Sequence, residues 1–204
     1  MYAYEAFSEG ARMTTLSICV YCGSSNNAAP AYLDLATRFG QACAQRGYRL
    51  VYGGGGVGLM GRAARGAHEA GGDVLGIMPH FLARRGIDYR DVRHILVETM
   101  HERKKILFDE SHAFVVLPGG IGTLEEAVET LSWRRLNLHT KPVVFLAEDD
   151  FWQPFFALIA HTVEANFTPP AIDDAMLAAN CIEDCFAAIE QRTSMGPPIK
   201  LIPG

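Results

Sequence analysis

Short apolar runs and longer amphipathic stretches alternate along most of the chain. The apolar runs are bounded by Gly, Pro or polar residues, and such runs are typical of strands that are buried on both faces of a parallel sheet. The predicted strands are Ser17–Cys22, Arg49–Tyr52, Asp73–Met78, His94–Val97, Ala113–Leu117 and Pro142–Leu146. The amphipathic stretches have the helical period, and the predicted helices are Pro30–Arg46, Gly58–Ala70, Met100–Ser111, Thr123–Leu138 and Phe151–Ala165.

Strands that alternate with helices predict the fold class. Consecutive strand–helix–strand units are right-handed and give an α/β fold, here a single-domain Rossmann-like doubly wound parallel sheet flanked by helices. Residues 173–191 are expected to add a short strand and a terminal helix over Ile182–Gln191. We therefore predict one domain over residues 14–194, a flexible extension over 1–13 and an extended, proline-containing tail over 195–204.

Composition narrows the class of protein. The chain has 204 residues and a formal net charge of −5, which argues against a protein that binds duplex nucleic acid. No apolar run approaches the roughly 18–20 residues that cross a bilayer, and residues 1–13 lack the apolar core of a secretory signal. We expect a cytoplasmic protein that handles a small molecule and associates with neither nucleic acid nor membrane.

The cysteines and histidines do not suggest a metal site. Cys19-x-x-Cys22 has the spacing of a redox or zinc pair, but it lies within a predicted strand and no second pair recurs. Free core cysteines are the favoured interpretation of all five. No histidine pair has helical ligand spacing with an acid nearby, so neither a metal nor another cofactor is predicted.

Two junctions between a strand and a helix carry far more glycine than folding requires. They are Gly53-Gly-Gly55-Gly56-Val-Gly58-Leu-Met-Gly61 and Pro118-Gly119-Gly120-Ile-Gly122-Thr123. Glycine is costly to order, and the usual reason for such loops is the approach of backbone N–H groups to an anion at a helix N-terminus. In an open parallel sheet, ligands bind beyond the carboxyl ends of the strands, where both loops are expected to lie.

The loops match no familiar di- or triphosphate motif. Gly56-Val-Gly58-Leu-Met-Gly61 reads as G-x-G-x-x-G, but the next predicted strand does not end in the acid that a dinucleotide site uses. Neither loop has the lysine of a P-loop. A monophosphate is the anion that the loops predict. Ser24 and Ser25, after the first strand, suit a ligand contact and an ordinary turn equally well.

Glu126 has two interpretations. Thr123-Leu-Glu-Glu126 has the spacing of a capping box, in which the threonine caps the helix and the glutamate reaches back. On spacing alone the capping role is the commoner one, and a catalytic carboxylate is the alternative. The helix dipole is expected to keep Glu125 and Glu126 ionised, which suits a base or a stabiliser of positive charge better than a proton donor.

The segment from Arg84 to Lys105 is locally basic, and by composition alone a solvated helix face is its commonest explanation. Arg103 stands out because the start of its helix is expected to face the same sheet edge as both glycine loops. A guanidinium in that position can hold phosphate or ribose oxygens with two hydrogen bonds.

Together, the two glycine loops and Met100-His-Glu-Arg103-Lys104 resemble the LOG ("Lonely Guy") family of cytokinin riboside 5′-monophosphate phosphoribohydrolases, which are often mislabelled as lysine decarboxylases. The resemblance extends from about Leu16 to Ala165. It implies a Rossmann-like nucleotide-binding hydrolase without a cofactor, acting as a homodimer or higher homo-oligomer whose site lies near the subunit interface.

The resemblance also implies roles for particular residues. Arg103 and Glu126 match the catalytic positions of the family. The positions expected to bind substrate are Gly55, Gly56, Met100, Lys104, Gly119, Gly120, Gly122, Thr123 and Glu125. The implied substrate is an adenine-type nucleoside 5′-monophosphate, either a cytokinin riboside 5′-monophosphate or AMP. Relatives often have Pro-Arg-Glu where this chain has Ala83-Arg84-Arg85, so the preferred base stays open.

Two other functions compete with this one. A non-catalytic nucleotide-binding protein, such as the molybdenum-cofactor carriers of the same fold, would keep the glycine loops without needing both Arg103 and Glu126. A lysine decarboxylase would need a lysine for pyridoxal phosphate at the ligand edge of the sheet, whereas Lys141 precedes its strand. The joint presence of Arg103 and Glu126 favours the hydrolase.

Overall fold

The computed structural model describes residues 16–194. The extension over 1–13 and the tail over 195–204 lie outside the described residues. The strands are β1 Ser17–Tyr21, β2 Arg49–Tyr52, β3 Val74–Pro79, β4 Arg93–Val97, β5 Ala113–Val116, β6 Val143–Leu146 and β7 Met176–Ala179. The helices are α1 Pro30–Gln45, α2 Gly58–Glu69, α3 His80–Ala83, α4 Met100–Asp109, α5 Ile121–Arg135, α6 Gln153–Glu164 and α7 Ile182–Ser194, with a 3-10 helix over Pro170–Ala175.

The seven strands form one parallel sheet in the order β4-β3-β2-β1-β5-β6-β7. The predicted α/β doubly wound parallel sheet is confirmed. The chain builds outward from β1 in one direction and then from β5 in the other, so the strand order reverses between β1 and β5. The loops after these two strands leave opposite faces of the sheet, which opens a crevice at their carboxyl ends.

A hydrophobic core lies on each face of the sheet. Ile18 and Val20 of β1 point into the core formed with α1, α2 and α7, where Phe39 stacks on Phe186 with ring centroids 5.5 Å apart. Cys19 of the same strand points into the other core, formed with α4, α5 and α6. This two-sided burial explains why the strands are continuously apolar.

Strands β4 and β7 differ from the five strands between them because they lie at the two edges of the sheet. Four of the five residues of β4 and three of the four residues of β7 are exposed or only partly buried. All five cysteines are unpaired and four of them are buried, so free cysteines are confirmed. No helix within residues 16–194 combines the length and the apolar character that a bilayer crossing requires.

The predicted capping box at Thr123 is wrong. Helix α5 begins two residues earlier, at Ile121, with Gly120 at the N-cap, and no side chain caps it. Thr123 and Glu126 therefore lie inside the helix, and Glu126 is free for another contact. A side-chain cap is present at α4, where the hydroxyl of the N-cap residue Thr99 accepts from the Glu102 N–H at 3.1 Å. The Glu102 carboxylate reaches back to accept from the N–H of Glu98, the residue before the N-cap, at 3.0 Å.

Candidate active site

A cavity of about 740 Å³ opens at the carboxyl ends of the strands, across the point where their order reverses. This volume is typical of small-molecule sites. The cavity wall includes seven of the residues that the sequence predicted for the site: Gly55, Arg103, Gly119, Gly120, Gly122, Thr123 and Glu126.

The first glycine loop follows β2 and packs on the loop after β1. Gly58 has φ of +61°, and a Cβ there would lie 2.4 Å from the carbonyl carbon of Ser24. Its N–H donates to Asn26 Oδ1 at 2.8 Å, and the Met60 N–H donates to the Gly23 carbonyl at 3.1 Å. Position 58 requires glycine because of its backbone conformation and its close packing on Ser24. The first glycine loop and the loop after β1 therefore form one continuous wall.

The second glycine loop follows β5 and leads into α5. A Cβ on Gly119 would lie 2.2 Å from the Thr123 hydroxyl, whereas a Cβ on Gly120 or Gly122 would meet no atom within 4 Å. Gly120 and Gly122 therefore border open space. The first N–H groups of a helix have no acceptor within it, so the start of α5 presents backbone donors to the cavity.

A buried ion pair joins α4 to α5 next to the first glycine loop. Arg103 Nη1 lies 3.2 Å from Glu126 Oε1, and the two side chains are only 7% and 10% exposed. Arg103 Nη2 donates to the Gly53 carbonyl at 3.2 Å, and its Nε donates to the Ile77 carbonyl at 3.1 Å. The guanidinium thus joins α5 to the ends of β2 and β3, and it holds the carboxylate of Glu126 at the cavity wall.

Burial is the dominant influence on the Glu126 carboxyl. It raises the pKa of Glu126, because the charged form is poorly solvated, and the nearby Arg103 guanidinium lowers that pKa by a smaller amount. The helix dipole was expected to keep this residue ionised, and burial works against that ionisation. Glu126 is the sixth residue of α5, beyond the first turn where the dipole acts most strongly.

Comparison with known proteins identifies the family. The family described as "Possible lysine decarboxylase" matches residues 60–189. The cytokinin riboside 5′-monophosphate phosphoribohydrolase of Rhodococcoides fascians is 38% identical over 89% of this chain and 93% of its own length. The enzyme LOG of Oryza sativa subsp. japonica is 42% identical over 85% of this chain and 72% of its own length. The chain belongs to the LOG family.

Solved structures share the fold of this LOG family member. The molybdenum cofactor binding protein of Rippkaea orientalis is 26% identical, with a TM-score of 0.67 over 88% of this chain and 98% of that one. The molybdenum cofactor carrier protein of Chlamydomonas reinhardtii is 25% identical, with the same TM-score of 0.67 over 88% of this chain and 99% of that one.

Four predicted site residues are not among those that line the cavity. Lys104 Nζ pairs with Glu125 Oε1 at 2.6 Å and with Glu129 Oε1 at 2.9 Å, which ties α4 to α5. Met100 is 38% exposed on the first turn of α4. Gly56 donates its N–H to the Ile87 carbonyl. A substrate role for Lys104, Glu125, Met100 and Gly56 stays a prediction.

One wall of the cavity is aromatic and was not predicted from the sequence. Tyr32 of α1 and Phe151, which follows β6, pack edge to face with ring centroids 5.4 Å apart. Asp149 holds both residues: it accepts from the Tyr32 hydroxyl at 2.6 Å and from the Phe151 N–H at 3.1 Å. Asp149 lies just beyond the carboxyl end of a predicted strand, and that position was the one available signal.

Lys141 lies far from any ligand edge. Its Nζ donates to the Phe108 carbonyl at 2.6 Å and sits 3.9 Å from the Phe108 ring centroid. Phe108 is at the end of α4, and the residues that follow it lead into the start of β5. Lys141 is therefore at the amino edge of the sheet, as expected, which removes it as a lysine for pyridoxal phosphate.

Proposed function

We propose that this protein hydrolyses the N-glycosidic bond of an adenine-type nucleoside 5′-monophosphate, either a cytokinin riboside 5′-monophosphate or AMP, to free base and ribose 5-phosphate. The observation that carries the proposal is the buried Arg103–Glu126 pair in the wall of a cavity that both glycine loops border. The names of the relatives, which are phosphoribohydrolases, support the same reaction.

The start of α5 binds the 5′-phosphate in this proposal. Gly120 and Gly122 leave room for an anion to approach the backbone N–H groups, and the helix dipole adds a favourable field. With the phosphate held there, the ribose extends along the wall toward Glu126, which is on the second turn of the same helix.

Glu126 stabilises the positive charge that develops on the ribose as the bond to the base breaks. The water oxygen bonds to the anomeric carbon, the electron pair of the broken bond leaves with the base, and the proton of the water is transferred to the base. An ionised carboxylate next to an oxocarbenium-like sugar contributes through electrostatic preorganisation. Arg103 orients the carboxylate and favours its charged form, which burial alone would disfavour.

The test is the variant Glu126→Gln. Gln keeps the shape and an oxygen acceptor for Arg103 but cannot carry charge, so we expect kcat to fall by about 10²–10³ while the fold is retained. The measurement is chromatographic detection of free base from AMP and from isopentenyladenosine monophosphate. The matched control is Glu129→Gln, on the same helix, whose carboxylate pairs with Lys104. Unchanged turnover in Glu126→Gln would reject the role.

A second candidate function is non-catalytic nucleotide or molybdenum-cofactor binding, and the similarity in fold to two molybdenum-cofactor proteins favours it. The product assay separates the two functions. A carrier would bind AMP or the cofactor without releasing base. In that case Glu126→Gln would change neither the affinity for the ligand nor the absence of base release.

We also propose that the protein assembles as a homodimer or larger homo-oligomer. Ile121, at the start of α5 and on the cavity rim, is 85% exposed, and Val128 on the same helix is 43% exposed. A second copy that covers this surface would remove apolar area from water. Light scattering on the full chain tests the proposal, and Ile121→Asp is expected to shift the mass toward the monomer. A wild-type mass equal to one chain would refute it.

A further inference from the structure

The cavity extends to both sides of the loop after β5. On one side it reaches the aromatic wall formed by Tyr32 and Phe151. On the other side it passes the ends of β2 and β3, where Met60, Met78, Leu82, Arg85 and Ile87 line it. We call this second part the β3 side of the cavity. With the phosphate at the centre, the base has two directions in which to extend.

The Arg103–Glu126 pair favours the β3 side. Arg103 donates to the carbonyls of Gly53, directly after β2, and of Ile77 in β3, so its guanidinium and the Glu126 oxygen bound to it lie toward these strands. A ribose that runs from the start of α5 to this pair directs its base onward, over the ends of β2 and β3.

Arg85 is the cation at the end of that path. It is exposed and lines the cavity, and no acceptor anywhere in residues 16–194 pairs with its guanidinium. Other arginines nearby are occupied: Arg65 donates to the Gly56 carbonyl and Arg90 pairs with Asp88. An unpaired guanidinium on a cavity wall is available to a ligand.

The loop that carries Arg85 is held in place. The Gly56 N–H donates to the Ile87 carbonyl at 2.5 Å, and the Tyr89 N–H donates to the Gly54 carbonyl at 3.2 Å, so the segment after Arg85 pairs with the first glycine loop. The Arg85 N–H itself donates to the Leu82 carbonyl at 2.9 Å, within a turn. The Arg85 side chain thus starts from a fixed point next to the cavity.

We propose that Arg85 contacts the base and extends the substrate class to 6-oxopurine nucleoside 5′-monophosphates. A guanidinium carries only N–H donors, and it matches O6 and N7 of a 6-oxopurine, which are both acceptors. Adenine offers N7 as an acceptor but an amino group at position 6, and Gln or Asn matches that pair better. The inference rests on the proposed function for the direction of the base.

The experiment measures dissociation constants by calorimetry, on full-length chain carrying Glu126→Gln so that ligands are not consumed. The ligands are inosine 5′-monophosphate, AMP and ribose 5-phosphate, which has the phosphate and sugar but no base. The variants are Arg85→Ala and Arg85→Gln, and the matched control is Arg84→Ala. Arg84 is the neighbouring exposed arginine, and its Nε donates to the His80 carbonyl at 3.4 Å.

We expect Arg85→Ala to weaken binding of inosine 5′-monophosphate about tenfold, to change AMP binding less than about threefold and to leave ribose 5-phosphate unchanged. Arg85→Gln should shift the preference toward AMP, and Arg84→Ala should change none of the three. Equal weakening of all three ligands would overturn the proposal, since Arg85 would then contact the phosphate. Unchanged binding of inosine 5′-monophosphate would also overturn it, as would base discrimination that responds to Phe151→Ala in place of Arg85.

These outcomes are independent of catalysis. If wild-type protein releases no base from any nucleotide but the Arg85 pattern is observed, the proposed hydrolase function fails and the base contact stands. If AMP is hydrolysed and Arg85→Ala leaves the two nucleotides equally bound, the function stands and the base contact fails.

Discussion

Gly53 is expected to be essential because of Arg103, not because of backbone conformation. A Cβ on Gly53 would lie 1.9 Å from Arg103 Nη2 and 3.1 Å from its Cζ, whereas real Cβ contacts are essentially never under 3.0 Å. In Gly53→Ala the guanidinium must therefore retreat by about 1 Å. That movement weakens the 3.2 Å bonds from Arg103 to the Gly53 carbonyl and to Glu126.

The size of the effect follows from this displacement. Misplacing a group of the reacting centre by about 1 Å can cost 10²-fold in rate. We therefore expect kcat/KM for AMP to fall about a hundredfold in Gly53→Ala. Loss of one hydrogen bond to a charged group costs roughly 1.5–3 kcal/mol, so the free energy of unfolding should fall by about that amount. Base release and urea unfolding monitored by circular dichroism measure the two effects.

A double-mutant cycle with Arg103→Ala isolates the cause. If the added methyl acts through the guanidinium, Gly53→Ala should have little further effect in a chain that already lacks Arg103. Full activity of Gly53→Ala would refute the reasoning. So would an undiminished hundredfold loss in the Arg103→Ala background, because the methyl would then act on the substrate or the backbone.

Three further outcomes are expected. Burial raises the pKa of Glu126 and the ionised form is the active one, so the rate should rise with pH through a pKa above the ordinary value for Glu. Glu126→Gln should remove this acid limb of the pH–rate profile, and an acid limb near pH ~4.3 in the wild type would contradict the reasoning. Gly120→Ala adds a methyl with no protein atom within 4 Å, so the variant should fold normally yet have a higher KM for AMP and weaker inhibition by ribose 5-phosphate. An unchanged KM and an unchanged inhibition constant would place the phosphate elsewhere. Of the five cysteines only Cys181 is partly exposed, so a thiol reagent should modify one thiol in native protein and all five in urea. Rapid modification of two thiols in native protein would contradict the burial of the other cysteines, such as Cys19 and Cys22.

The sequence pattern was sufficient for the sheet and its helices because burial on both faces imposes an apolar run on each strand. It was insufficient at helix ends. Thr-x-x-Glu spacing occurs at Thr123, where it is internal to α5, and at Thr99, where it caps α4, and spacing alone does not tell which residue begins a helix. The partial exposure of β4 likewise follows from its position at the edge of the sheet, and local periodicity does not predict the order of the strands.

The sequence by itself determined the fold class, the two glycine loops and the expectation that Arg103 and Glu126 share one sheet edge, because these follow from local periodicity and from the rule that parallel strands end together. Only the tertiary structure decided that the two residues form a buried pair, that the same burial raises the pKa of the carboxyl, and that Tyr32 and Phe151 make one wall. Desolvation and side-chain contacts depend on which elements, distant in the sequence, pack against one another. The order of the strands and the packing of helices on the sheet decide those contacts, and neither can be seen in a local stretch of sequence.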